Sequence, residues 1–427
     1  MTDTISTTEP KTRVQFLAPA AEPHSRPSPP WSHSLSVKLY MIAIFLLPVQ
    51  LEIESVRSIV GSRLPPGDVF LAFSLLLAPT SFRILRRPVG YLPLALPLVL
   101  AYGAIVSLTL QGHLSNHSSN VKFMGSFVLV VMGVVTIAYA REGMAPRILR
   151  AFLLGVAFWG GVGYIDWRIA DIMPWLEVDI ESRFGGMQFD PNNAGAMFGA
   201  ALMISWRYGQ HLFHRRLTWM AATSWYAIAL GLTLSRGAFI GTAGAVIIVI
   251  TVDHVTAERA MRYLAAAFGI VAFMLGTGFV DTAVNDFTRR PDTVSSRGDF
   301  VDYAVDRWVD SRGLGMGLGT FRSETSRIVH NTGIWLVVEM SLPGLFLFLA
   351  LVIVPFRACL RMRTYDHELA MALLAAHMTM VVASVGIEAL YQRGWWMLIG
   401  LTILPTAAVR REQQSAALDR REHEIQS

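Results

Sequence analysis

A single cysteine, Cys359, stands in 427 residues. This excludes an internal disulfide framework and any cysteine-based metal site. Charge is also scarce: Asp, Glu, Lys and Arg make up 16% of the chain, against about 25% in soluble domains. The deficit lies in long runs almost free of charge, which excludes a soluble globular protein and points to an integral membrane protein. The formal net charge of +5 then carries no argument for nucleic acid, because basic residues in such proteins chiefly set orientation. An early apolar core is missing too. Residues 1–36 are polar and rich in Pro and Ser, so they are no cleavable signal peptide and are expected to form a disordered tail, as are residues 410–427.

What is present is a series of apolar blocks. A spanning helix needs about 20 mostly apolar residues, and twelve blocks qualify: 37–54, 66–82, 91–109, 122–139, 148–164, 192–207, 217–234, 236–252, 262–280, 331–356, 367–389 and 394–409. The fold class expected is an all-α polytopic membrane protein with one domain over 37–409 and no internal repeat. With the N-terminus in the cytoplasm, the inner loops hold Arg83, Arg86 and Arg87, then Arg141, Arg147 and Arg150, then Arg207, Arg215 and Arg216, then Arg259 and Arg262, then Arg357, Arg361 and Arg363. The outer connection 165–191 is mainly acidic. This obeys the positive-inside rule and puts both termini in the cytoplasm.

One long hydrophilic interruption remains, Asp281 to Asn331, the large outer loop (281–330) between the ninth and tenth blocks. It holds seven arginines (Arg289, Arg290, Arg297, Arg307, Arg312, Arg322, Arg327) balanced by eight acids, the glycine run Gly313 to Gly319, and His330-Asn331 at its end. Within it, 299–310 has the period of an amphipathic helix: Phe300, Val301, Ala304, Val305, Trp308 and Val309 share one face. Such a helix lies at the membrane interface or packs on the ends of the spanning helices.

Several residues carry candidate chemistry. Ser235 is placed to cap the helix opened by Arg236 and Gly237. A helix N-terminus with an arginine fork suits phosphate oxygens; the plainer reading is an arginine reaching for lipid headgroups. Ser296-Arg297-Gly298 offers a second basic group at the start of the amphipathic helix, with Arg289 and Arg290 near it. His330 opens the tenth block with Asn331 and is a candidate acid or base, or a headgroup-level histidine. Glu339 follows nine residues later, roughly 13 Å deeper, where an ionisable side chain is a functional candidate. Arg183 precedes the Asp190-Pro191 helix start, and Arg393 sits beside Glu388, Tyr391 and Gln392 at an outer helix end.

Together these pieces resemble the O-antigen ligase and polymerase family of bacterial envelope glycan assembly. The resemblance rests on Ser235-Arg236-Gly237, Arg297 early in one large outer loop, the run Gly313 to Phe321, His330-Asn331 continuing through Glu339 to Pro343-Gly344, and Asp190-Pro-Asn-Asn. It covers about Arg183 to Gly344. It implies a GT-C-type glycosyltransferase fold in the bacterial inner membrane, with a periplasmic active site. It further implies metal-independent, cofactor-free, inverting transfer of a glycan from an undecaprenyl-pyrophosphate carrier to lipid A-core or to a growing carrier-linked polysaccharide. By resemblance Arg236 and Arg297 hold the pyrophosphate, with Arg290 or Arg289 as alternatives to Arg297. His330 assists the acceptor hydroxyl, while Ser235, Asn331, Arg183, Glu339 and Arg393 contact substrate. Membrane lipids and envelope glycan assembly proteins are the implied partners. Two other classes compete: a secondary transporter or flippase for an anionic envelope precursor, which places its site at mid-bilayer on broken helices, and a scaffold subunit, which needs no cavity.

Overall fold

The computed structural model describes residues 35–49, 65–77, 92–111, 116–169, 184–188, 190–253, 292–321 and 331–403; at 111, 116–124, 142 and 292–300 it describes the backbone alone. Among these residues there are twelve α-helices and no strand: α1 (Leu35–Phe45), α2 (Pro66–Leu76), α3 (Leu92–Gln111), α4 (Asn116–Tyr139), α5 (Ala145–Arg168), α6 (Pro191–Leu212), α7 (Arg216–Leu232), α8 (Arg236–Asp253), α9 (Asp292–Asp310), α10 (Thr332–Met362), α11 (His367–Ala383) and α12 (Arg393–Thr402). Eleven of the expected apolar blocks coincide with helices; the block 262–280 lies outside the described residues, as do most of both expected tails. Four helices are long and apolar enough to cross a membrane, α3, α5, α8 and α10, and the protein is a helical membrane protein.

The centre of the bundle is α11. Nearly all of its residues are buried, and it packs on α8, α6, α10 and α12. Close approach depends on small residues, the usual device where lipid gives no hydrophobic drive between helices. Gly195 and Gly199 on α6, and Gly237 and Gly241 on α8, each sit four apart. A Cβ on Gly241 would lie 2.7 Å from the Thr379 carbonyl oxygen of α11, and one on Gly195 would lie 2.8 Å from Ala238 Cβ. Polar ties fasten the periphery. Ser36 and Ser74 join α1 to α2 and meet the Tyr139 hydroxyl of α4, and the Tyr40 hydroxyl reaches Thr136 Oγ1 at 2.6 Å. On the other flank, Tyr226 donates to the Leu153 carbonyl at 2.7 Å.

Three elements differ from the sequence expectation. α10 is not one straight helix: it breaks at Ser341 (φ 53°, ψ −138°). Pro343 has no N–H to offer the Glu339 carbonyl, and the ring disfavours a continuous turn. α11 stops at Ala383, six residues before the end of its apolar block, because the turn beyond it serves α10: Thr332 N donates to the Ser384 carbonyl (2.9 Å), Thr332 Oγ1 donates to the Ile387 carbonyl (2.9 Å), and Ala389 N donates to Thr332 Oγ1 (2.8 Å). The amphipathic helix, α9, begins at Asp292, seven residues early. It rests on α10, with Ala304 buried and Trp308 Nε1 donating to Ser341 Oγ at 3.2 Å, while Val305 and Val309 stay exposed. Smaller differences lie at the ends: α1 starts at Leu35, two residues inside the expected tail.

One end of the bundle is clamped by charge. Arg207 Nη2 lies 2.9 Å from Asp253 Oδ2 and 3.5 Å from Glu368 Oε2, His367 also meets Asp253, and Arg363 donates to the Val252 carbonyl at 2.6 Å. We call this the Asp253 end and the opposite one the Ser235 end.

The glycine contacts give a test. Gly241→Val drives a branched side chain into the α11 backbone, and the detergent-solubilised protein is expected to lose roughly 1–3 kcal/mol of stability, seen as a lower melting temperature. Gly244→Ala, whose Cβ would meet nothing closer than 3.7 Å, leaves melting unchanged or slightly higher.

Candidate functional site

Of the candidate residues, Ser235, Arg236, Asn331 and Arg393 lie at the Ser235 end, where α2, α4, α6, α8, α10 and α12 begin. Three of these N-termini are capped by their own sequence. Asp190 Oδ1 accepts from Asn192 N at 2.8 Å with Pro191 at the first helical position, Ser235 Oγ accepts from Ala238 N at 3.3 Å, and Asn331 Oδ1 accepts from Ile334 N at 3.0 Å. Each start presents N–H groups and the positive end of a helix dipole. They are neighbours: a Cβ on Gly195 in the first turns of α6 would lie 3.0 Å from Ser235 Cβ, and the Cα atom of Gly386 lies 3.9 Å from the position of a Cβ on Gly237. Gly386 belongs to the turn that grips Thr332.

The joint that presents Arg236 is only three residues long, Thr233 to Ser235. It is made possible by Leu234 in the left-handed region (φ 49°), a conformation costly for a residue with a branched side chain. Thr233 Oγ1 donates back to the Leu230 carbonyl at 2.7 Å and accepts from Ser235 N at 3.3 Å, so the turn is fixed from within. Ser235 is fully buried and engaged as a cap. Arg236, half-buried, is the first residue of α8. Asn331 likewise spends its side chain on α10.

The glycine run is the largest surprise. It lies not on an outer surface but between α3 and α10, buried from Gly315 to Phe321. Gly313, Gly315, Gly317 and Gly319 all have positive φ, from 74° to 93°. A Cβ on Gly315 would sit 2.7 Å from the Glu339 carbonyl oxygen, and one on Gly317 would sit 2.6 Å from Ser107 Cα, so glycine is required on both counts. The loop replaces the hydrogen bonds that the break in α10 loses: Met316 N donates to the Val338 carbonyl at 2.9 Å, and Gly317 N donates to the Glu339 carbonyl at 3.0 Å. Leu318 N crosses to the Gly103 carbonyl of α3 at 2.9 Å. Ser341 Oγ closes the upper part by donating to the Gly313 carbonyl.

Glu339 is fully buried, and its Oε2 accepts from Gly319 N at 2.9 Å. Beside it the Trp335 and Tyr391 rings lie 5.9 Å apart. Desolvation, reinforced by the carboxylates of Glu388 and Glu339, holds the Tyr391 phenol well above its ordinary range. Arg393 is held by Asp68, through Nε to Oδ1 and Nη2 to Oδ2, and this two-point grip joins the starts of α2 and α12. Arg297 falls in the second turn of α9 instead of before its start, because the helix begins at Asp292; its side chain, with His330, Arg183, Arg290 and Arg289, lies outside the described residues. A small apolar cavity of about 10 Å³ lies between Pro48, Val156 and Gly160, the turn at Gly186–Gln188, and Met197 of α6.

Sequence reasoning missed Asp68 and Thr332. An acid in the first turn after Pro65-Pro66-Gly67 is a visible signal, but its partner lies 325 residues away. Neither family models, characterised proteins nor solved structures gave a match to this chain.

The Asp68–Arg393 pair is open to a stability test. Asp68→Ala strands a guanidinium that is 19% exposed, and is expected to cost about 3 kcal/mol; adding Arg393→Leu recovers part of that loss. Thermal unfolding of the two variants in detergent measures both effects.

Proposed function

We propose that the protein is a membrane glycosyltransferase of the O-antigen ligase or polymerase type. In this reading it is a twelve-span chain of the GT-C kind in a bacterial inner membrane, with both termini cytoplasmic and the Ser235 end in the periplasm. The observation that carries the reading is the arrangement at that end: Arg236 opens α8 beside the capped starts of α6 and α10, away from the arginines of the Asp253 end. Converging N-termini and an arginine fork are a site for a pyrophosphate.

The reaction follows from that charge. An acceptor hydroxyl, on lipid A-core or on a carrier-linked polysaccharide, attacks the anomeric carbon of the donor sugar. The bond from that carbon to the pyrophosphate oxygen breaks, and the electron pair leaves with undecaprenyl pyrophosphate. Arg236, with Arg297 or Arg290, stabilises the charge that develops on the leaving group. His330, which precedes Asn331 in the chain, takes the hydroxyl proton. Arg183, eight residues before the α6 start in the sequence, is assigned to the donor sugar.

One observation favours transport of an anionic envelope precursor instead: a broken helix with a buried carboxylate is a common transporter device. Here, however, the carbonyls freed at the break and one carboxylate oxygen of Glu339 accept N–H groups of the chain itself, which argues for a structural joint.

Expressed at normal level, Arg236→Ala is expected to lower glycan transfer by about 100-fold or more, and His330→Ala by a similar factor, with Arg236→Lys intermediate because it loses the fork. The measurement is transfer from carrier-linked glycan in membranes; full rates in both alanine variants overturn the proposal. Loss of the gene separates the two activities: uncapped lipid A-core with long carrier-linked polymer marks a ligase, and single repeat units mark a polymerase.

A further inference from the structure

We propose that α9 and the turn after it are set into the bilayer, with Val305, Val309 and Leu314 covered by lipid acyl chains. The side of α9 that rests on α10 carries the buried Ala304 and the half-buried Trp308. Val305 and Val309 lie on the strip beside it and are 48% and 61% exposed. The exposed acids Asp302, Asp306 and Asp310 take the next strip round the helix. Apolar side chains between a packed side and a charged side mark a helix that lies in the plane of an interface.

The neighbours of these residues say what covers them. Trp308 Nε1 donates to Ser341 Oγ at 3.2 Å, and the next residue on each side of that bond, Val309 and Leu342, is exposed. Phe346, one turn further along α10, is exposed as well. α10 is long and apolar enough to cross a membrane, so its outward apolar side chains face lipid. Leu314 is 49% exposed, and its carbonyl accepts from the Tyr102 hydroxyl at 3.0 Å. Tyr102 lies ten residues into the twenty of α3, roughly 15 Å from its start, and α3 is also long and apolar enough to cross. Leu98 and Ile105, on the Tyr102 side of α3, are exposed. One apolar surface therefore continues from α3 past Leu314 to α10.

The backbone supports the same conclusion independently. A turn in water can leave its N–H groups to the solvent, whereas a turn in hydrocarbon must satisfy them from the chain. From Ser311 to Gly315 every N–H is taken. Ser311, Arg312, Gly313 and Leu314 donate to the carbonyls of Arg307, Val309, Trp308 and Ser311, and Gly315 donates to Ser311 Oγ, all at 2.9–3.3 Å. The carbonyls of Gly313 and Leu314 accept from Ser341 Oγ and Tyr102. Arg312 is the one charge in this turn, and its stem is long enough to carry the guanidinium to the headgroups. The partner of this face is thus the acyl region of the bilayer, whatever reaction the Ser235 end carries out.

The test uses the full-length protein in nanodiscs of phosphatidylethanolamine and phosphatidylglycerol. A Cys359→Ala background removes the native thiol. In it Asp302→Cys, Val305→Cys, Asp306→Cys, Val309→Cys, Leu314→Cys and Leu342→Cys each carry a nitroxide. Electron paramagnetic resonance reads collisions of each label with oxygen, which dissolves in lipid, and with a polar nickel chelate, which stays in water. Nickel collisions at Val305, Val309 and Leu314 are expected to fall at least about tenfold below those at Asp302 and Asp306, with oxygen collisions as frequent as at Leu342. A label at any of the three that meets nickel as often as those at the acids puts this face in water and overturns the proposal. Labels that meet neither collider show a cover of protein, from a second copy or another chain, and overturn it too. The three positions are read independently, so a variant that fails to fold leaves two to decide.

Discussion

The missing N–H of Pro343 is the constraint on which the site depends. In a low-dielectric layer a carbonyl without a donor is costly, and water is not at hand to satisfy it. The break at Ser341 leaves the Val338 and Glu339 carbonyls in that position, and backbone N–H groups from a different part of the chain take them up. A Cβ at 315 or 317 would collide with α10 or α3, and all four alternating glycines of Gly313–Gly319 have the positive φ that the loop requires. Gly344 is part of the same joint: a Cβ there would lie 2.0 Å from the Leu336 carbonyl oxygen. A kinked helix and a glycine loop are thus two halves of one hydrogen-bonding solution.

The Ser235 end follows a related logic. Helix starts carry unpaired N–H groups, and in this chain they are capped by Asp190, Ser235 and Asn331, so those polar side chains are spent on the fold. What remains for chemistry is what the caps arrange around themselves: residues such as Arg236 at the head of a helix, held in place by a strained turn at Leu234. Small residues on α6, α8 and α11 bring those heads together. Packing of the apolar interior and geometry of the polar end are therefore one problem, because the spacing of Gly195, Gly199, Gly237 and Gly241 sets how close the helix starts can come.

Much of this was legible before any coordinates. Apolar block length located the helices, because a membrane imposes a length that composition reveals. The cap at Ser235 was legible as well, since capping is a local rule about neighbouring residues. What escaped were features that join distant parts of the chain. The glycine run looked like an exposed loop because hydropathy cannot distinguish a polar outer segment from a backbone recruited to satisfy another helix. The early end of α11 was hidden because its cause is Thr332, more than fifty residues upstream. Arg297 looked like a helix-start residue because the polar stretch 292–298 carries no apolar period, although it is helical. Arg393 looked available because the partner that holds it, Asp68, lies 325 residues away.

That last pair has a consequence for how the protein is made. Asp68 enters the membrane region with the second helix, and its arginine arrives only with the twelfth, 325 residues later. For most of synthesis the first hairpin therefore carries an acid whose partner does not yet exist, at a position that ends up 6% exposed. The hairpin of α1 and α2 can form at once through its serine contacts, but its seat against the rest of the bundle cannot close until the chain is nearly complete. The second and last helices fasten each other, so the bundle is sealed late and as a whole.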